Sequence, residues 1–159
     1  MSETEKLTLT DLLHRVVQIG LVVEDLDAKM AGMKAIFGLE PDSIFDAAFA
    51  ETVYRGEVID APARIANYDY FGVQIEFIEP KCDKSIWNDF LNDGPHHGHS
   101  LHHIKFGDAD EAAVITDLMK ERGIESYQEL QSFVNPGGKS VYYDTLDQLG
   151  FFVEITTKR

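Results

Sequence analysis

The chain has 159 residues, enough for one domain with a real core, and its 44% hydrophobic and 26% charged residues are an ordinary globular mixture. A formal net charge of −14 repels nucleic-acid phosphates and anionic lipid alike, so neither is an expected partner, although a local cation can reverse the field inside a pocket. Cys82 is the single cysteine, which excludes an intramolecular disulfide; no run approaches the roughly 20 apolar residues of a membrane span, and the polar, acidic stretch from Met1 to Leu13 lacks a secretory pattern, so a cytoplasmic location is expected.

In chain order, the first patterned segment is the alternating strand around Gln18-Ile19-Gly20-Leu21. It leads through Asp25 into a stretch with helical spacing at Met30, Met33, Ile36 and Phe37, which stops at Gly38. A strand from Arg64 to Tyr70 follows, then Gly72 and a second strand, Val73-Gln74-Ile75-Glu76-Phe77. Lys84 to Asn92 reads as a short linking helix carrying Trp87, Phe90 and Leu91. Gly94-Pro95-His96-His97-Gly98 is a loop signal. The pattern then restarts. His103-Ile104-Lys105-Phe106 leads through Asp110 into a helix with Ala113, Ile115, Leu118 and Met119, stopping at Gly123. A strand from Ser140 to Thr145, Gly150, and Phe151-Phe152-Val153-Glu154-Ile155 close the chain.

The restart is an internal repeat. An offset of 85 relates Gln18 to His103, Asp25 to Asp110 and Gly38 to Gly123; an offset of 78 relates Gly72 to Gly150 and Glu76 to Glu154. Both halves read β, α, then mainly β. The expected fold is α+β, a single domain over 1–159 with module one about 14–80, a linker 81–99 and module two about 100–157. Neither half could bury enough surface alone.

Strand alternation sorts the side chains. Ile19, Leu21 and Val23; Val73, Ile75 and Phe77; Ile104 and Phe106; and Phe151, Val153 and Ile155 suit packing under helices. Gln18, Glu76, His103 and Glu154 take the opposite faces, at repeat-related positions that a pseudo-two-fold would bring together. An inward Gln18 is as readily a hydrogen-bonded amide as a ligand. Two carboxylates and a histidine facing one cavity are costly to bury without a role. His102 is expected on the helix-covered side as a structural histidine. His96, His97 and His99 belong to a solvated loop, and His14 to the rim. Lys105 shares a face with His103, where it stabilises an enolate or anchors an anion, or pairs with a carboxylate. Tyr68, Tyr70, Tyr142 and Tyr143 are expected near the site.

Val17-Gln18-Ile19-Gly20-Leu21-Val22-Val23-Glu24-Asp25-Leu26 resembles the first strand of the vicinal oxygen chelate superfamily, the glyoxalase, bleomycin resistance and dioxygenase group. Leu101-His102-His103-Ile104, Val73-Gln74-Ile75-Glu76-Phe77-Ile78-Glu79-Pro80 and Phe152-Val153-Glu154-Ile155 resemble the central, metal-bearing and terminal strands of its methylmalonyl-CoA epimerase branch. The resemblance implies two βαβββ modules forming a bowl-shaped mixed sheet, and a homodimer. It also implies a divalent metal (Co, Mn, Zn or Mg) held by Gln18, Glu76, His103 and Glu154. Gln18 stands where the family usually has histidine, and a set of three oxygen donors and one nitrogen suits the harder ions better than a histidine-rich one.

The reaction so implied is exchange of the proton on a carbon next to a carbonyl, through an enolate. Glu154 is the implied base. Asp60, with Glu57 as the alternative, is the implied second base, and Lys105 the enolate or anion partner. The small-molecule carbonyl substrate would be a CoA thioester of the methylmalonyl type, or an aromatic ketone such as the isoflavanone dihydrodaidzein, whose racemase resembles the epimerase. A glyoxalase-type lyase, a dioxygenase and a non-catalytic binding protein are the rival classes for the same bowl.

Overall fold

Period-two alternation governs most of the chain, and the backbone turns it into one curled sheet. The computed structural model describes residues 7–92, 99–132 and 136–157. After a short helix α1 (Leu9–Leu12), β1 (Val16–Val23) leads into α2 (Leu26–Phe37). Then come β2 (Ser43–Ala47), β3 (Thr52–Tyr54), β4 (Glu57–Ile59), β5 (Ala63–Tyr70) and β6 (Val73–Pro80). The helix α3 (Ile86–Asn92) precedes β7 (His99–Ala109), α4 (Ala112–Lys120), β8 (Ser126–Gln131), β9 (Lys139–Tyr143), α5 (Leu146–Leu149) and β10 (Phe152–Thr157). His96 and His97 lie outside the described residues, and of His99 only the backbone, in β7, is described.

The strands of the described residues form a single mixed sheet, ordered β2-β5-β6-β1-β7-β10-β9-β8-β3-β4. Its symmetry follows the repeat. β1 runs parallel to β6, β7 runs parallel to β10, and the two units meet where β1 pairs antiparallel with β7. The β3–β4 hairpin departs from the pattern. It belongs to the first half of the chain but pairs with β8 of the second, Val53 beside Glu129 and Tyr54 beside Gln128. Strands of three residues are too short to show alternation, so the sequence did not announce this hairpin.

Two-sided burial explains the layers. On the outer side of the sheet Val23, Ala66 and Phe77 pack against Leu26 and Met33 of α2, and Val141, Val153 and Ile155 against Ile115 and Met119 of α4. On the inner side Val22, Ile65, Ile78, Tyr142 and Phe152 meet Trp87, Phe90 and Leu91 of α3, which fills one end of the bowl. Helix ends match their signals. The Asp25 side chain accepts from the Ala28 amide at 3.0 Å, and Gly38, at φ 69°, turns the chain out of α2 in the left-handed region that a side chain would strain.

One expectation about faces is corrected. The β1–β7 register shifts between Gly20 and Leu21, which pair with His103 and Leu101 respectively, so His102 is the extra residue of a bulge. Alternation fails there, and His102 turns to the inner side, its ring 4.7 Å from that of Phe152 and 4.9 Å from that of Phe90.

No helix of the described residues is long and apolar enough to cross a membrane. Trp87 is fully buried between Phe49 and Tyr142. Its truncation leaves a cavity at the end of the bowl, so Trp87→Ala should lower the unfolding free energy by about 3–5 kcal/mol, read from urea denaturation. A loss below about 1 kcal/mol would mean that α3 is not part of the core.

Candidate functional site

Strand register assembles the site at the seam. Parallel pairing sets Gln18 beside Gln74 and Gly20 beside Glu76; antiparallel pairing sets Gly20 opposite His103; and Glu154 of β10 lies beside Lys105 of β7. Gly20 makes the central placement possible. A Cβ there would lie 1.9 Å from Cε1 and 2.1 Å from Nε2 of His103, so the imidazole occupies the space over the strand that a side chain would take.

The four polar heads read from the repeat are brought together. His103 Nε2 lies 3.0 Å from Gln18 Oε1, 3.1 Å from Glu154 Oε2 and 3.5 Å from Glu76 Oε1. Gln18 Nε2 donates to Gln74 Oε1 at 2.5 Å and to Glu76 Oε2 at 3.3 Å, which leaves its carbonyl facing the imidazole. Gln18, His103 and Glu154 are buried. Among the described residues no three His, Cys, Asp or Glu heads form a metal-ligand group; the other three heads converge on His103 Nε2 itself.

Burial pushes the Glu154 carboxyl above its ordinary value, opposed by the neighbouring His103 and Lys105 side chains, reinforced by Glu76 and opposed again by a hydrogen bond from Ser140. Glu154 Oε2 is buried and makes no hydrogen bond. The Tyr142 hydroxyl is likewise raised by burial and by the two carboxylates. Beside them is a cavity of about 80 Å³. Phe45, Phe49 and Trp87 form its apolar wall; Asn67, whose Oδ1 is buried without a partner, and Lys105 also line it.

Other candidates lie elsewhere. Asp60 is exposed and accepts from the Glu51 amide at 3.3 Å. Glu57 is exposed at the sheet edge and pairs with Lys84. Neither lines the cavity. His14 is exposed, its Nδ1 3.1 Å from the Asp11 carbonyl oxygen. Of the four tyrosines only Tyr142 reaches the cavity. Tyr68 packs with Phe77 under α2, Tyr143 bonds Thr116 on the α4 side, and Tyr70 stacks edge-on with Phe37 and Phe71. Gly20 and Gln74 were not singled out in the sequence. Gln74 sits on the right face, but its repeat partner is Phe152, so the polar correspondence that marks Glu76 and Glu154 is missing. The repeat partner of Gly20 is Lys105, so the seam has an imidazole over a glycine on one side and an amide beside a lysine on the other.

Residues 17–143 match the family profile of the Glyoxalase/Bleomycin resistance protein/Dioxygenase superfamily. A methylmalonyl-CoA epimerase from Streptomyces coelicolor, solved with 2-nitronate-propionyl-CoA, is similar in structure at 20% identity and a TM-score of 0.63, covering 90% of this chain and 93% of that one. Methylmalonyl-CoA epimerase from Mycobacterium tuberculosis aligns at 14% identity and a TM-score of 0.66, covering 98% and 94%. A hypothetical protein from Bacillus halodurans aligns at 17% and 0.66, covering 91% and 94%. No curated protein sequence matches the chain.

Two measurements check this geometry. Gly20→Ala should displace the His103 ring and cost about 1–3 kcal/mol of stability by overpacking. A crystal structure of the variant with His103 still within hydrogen-bond distance of Gln18 would contradict the close approach. In chelator-treated protein the raised Glu154 value means that the folded state holds its proton to higher pH than the unfolded chain. That contribution is full below the unfolded value and is lost as pH rises through the folded one. Glu154→Gln should therefore remove part of the fall in stability with rising pH, seen as converging urea midpoints at acidic and neutral pH; an unchanged pH dependence would contradict the burial of that charge.

Proposed function

The chain belongs to the Glyoxalase/Bleomycin resistance protein/Dioxygenase superfamily, and on that premise we propose that it is an epimerase or racemase that exchanges the proton on a carbon next to a carbonyl. The observation that carries the reading is the convergence of a buried carboxyl of raised pKa, Glu154, with Glu76, His103 and Gln18 beside one cavity that also holds Lys105. Proton abstraction from carbon needs a base whose affinity lies closer to neutrality than that of a solvated carboxylate, and burial supplies it. It also needs positive charge or donors at the oxygen where the enolate charge collects.

By donor chemistry the set suits a divalent ion: one imidazole, two carboxylates and an amide oxygen, with the oxygens 3.0, 3.1 and 3.5 Å from His103 Nε2. The heads as they stand do not form a ligand group around a common point, so holding an ion requires them to turn from His103 Nε2 toward it. The unbonded Glu154 Oε2 is the kind of buried atom such an ion would satisfy. Gln18, Glu76, His103 and Glu154 would hold it, and when bound it would supply a Lewis acid at the substrate carbonyl oxygen. Glu154 takes the α-proton. Lys105 holds a negative charge on the substrate or its enolate. The apolar wall of Phe45, Phe49 and Trp87 keeps water from the reacting carbon. Glu76, the other carboxylate facing the cavity, is the group placed to return a proton; Asp60 and Glu57, bound elsewhere on the surface, stay outside this arrangement.

The cavity also bears on substrate. Sites for drug-sized ligands run to roughly 300–1,000 Å³, whereas about 80 Å³ admits a small acyl group with the rest of the molecule outside. That favours a thioester of a short branched acid over an isoflavanone. Both are tested by incubation in deuterated water, following inversion and label at the α-carbon. Wild-type protein should incorporate deuterium as it inverts the centre of the thioester, chelation should slow it and Mn²⁺ restore it, and Glu154→Gln should lose at least about 10²-fold. No inversion and no label with either substrate would move the function to a lyase or a binding protein.

A further inference from the structure

Beneath the site His102, which the proposed chemistry does not use, stands beside His103 on the inner face of the sheet, and both are fully buried. The bulge in β7 is the cause, because it removes the alternation that would send them to opposite sides. Phe90, Phe152 and Tyr142 enclose the His102 ring, with centroids 4.9, 4.7 and 5.7 Å away. Held there, His102 Nδ1 lies 2.9 Å from His103 Nδ1.

Two ring nitrogens at that distance share one proton. With a hydrogen on each they repel, and with none two lone pairs face each other. The tautomers of the pair are therefore complementary. At the far side of His103, Gln18 decides the matter in the ion-free protein. Its amide nitrogen is committed to Gln74 and Glu76, so its oxygen accepts, and His103 Nε2 donates. His103 Nδ1 is then an acceptor, and His102 Nδ1 must carry the proton between them. For Nε2 to offer a lone pair to an ion, the proton must sit on His103 Nδ1 instead and be accepted by His102.

We propose that His102 is a positioning residue that partners either tautomer of His103, donating to its Nδ1 in the ion-free protein, where Gln18 sets the tautomer, and accepting from it when Nε2 turns to a cation. The proton between the rings passes from His102 Nδ1 to His103 Nδ1, the ion displaces the proton of His103 Nε2, and one proton is taken up from solvent at His102 Nε2, so neither ring changes its charge. A carboxylate or a backbone carbonyl in the place of His102 could only accept, which would fix His103 in the ligand form. The inference rests on His103 being the central group of the proposed site. Its primary readout uses ion-free protein without substrate, so its failure is separable from failure of the epimerase reading.

The test is long-range ¹H–¹⁵N spectroscopy of the histidine rings, with and without Zn²⁺. In ion-free wild-type protein His103 should be a single Nε2–H tautomer and His102 a single Nδ1–H tautomer; Zn²⁺ should convert them to Nδ1–H and Nε2–H. His102→Phe fills the aromatic enclosure without a partner nitrogen. It should leave ion-free His103 in the Nε2–H form that Gln18 imposes and weaken Zn²⁺ binding about 10–100-fold by calorimetry, because nothing then accepts the Nδ1 proton of the ligand form. His102→Asn, whose amide can donate or accept near the same place, should stay close to wild type. Mixed or non-complementary tautomers in the wild type would overturn the proposal, as would a phenylalanine variant with unchanged Zn²⁺ affinity. Should that variant fail to fold, the wild-type spectra decide alone.

Discussion

The antiparallel pairing of β1 with β7 is the constraint on which the rest of the structure depends. It sets Gly20 opposite His103, and the missing side chain lets the imidazole lie across the strand at the centre of the bowl. Gln18, Glu76 and Glu154 then reach it because β6 and β10 flank the pair in parallel, each in fixed register. A slip of one residue at the seam would turn these side chains to the helix-covered faces and scatter the site. Fold and site are thus one arrangement, and the pseudo-two-fold axis that joins the halves passes beside the group around which the proposed chemistry turns.

Electrostatics explains why such a cluster is tolerated in a chain of net charge −14. Two carboxylates at a buried imidazole cost free energy unless something offsets them. His103 and Lys105 do so in part, by lowering Glu154, but desolvation prevails and its carboxyl stays raised. The imbalance is the useful feature. A carboxylate fully satisfied by hydrogen bonds is a poor base, whereas one with an unbonded oxygen retains affinity for a proton or a cation. The apolar side of the cavity, built from β2, α3 and the segment after β2, keeps the local dielectric low enough for that imbalance to persist.

How much of this could be read from the sequence depends on which local rule was in force. Period-two alternation held along β1, β6 and β10, so the faces carrying Gln18, Glu76 and Glu154 were legible, and the repeat offsets told which heads would meet. Gly38 and Gly123 marked the helix ends because only a left-handed residue closes them cheaply. Alternation failed where β7 bulges, and there the side taken by His102 was misread. The β3–β4 hairpin was invisible because its strands are too short to show a period, and its crossing to β8 depends on contacts far along the chain. That crossing carries Glu57 and Asp60 to the surface, away from the place the family resemblance had suggested. The tyrosines show the weakness of composition as a guide: of four aromatic residues on strands, three serve the core or the rim. Gly20 could have been found only by pairing β1 with β7 in register, which periodicity alone does not provide.

The central claim is that residues from both halves form one cation site at the seam. Anomalous diffraction from crystals grown with Mn²⁺ tests it most directly. The account predicts a peak bonded to His103 Nε2 and to the oxygens of Gln18, Glu76 and Glu154, at about 2.0–2.3 Å from each. A peak at His96 and His97 alone, or none at saturating Mn²⁺, would contradict it.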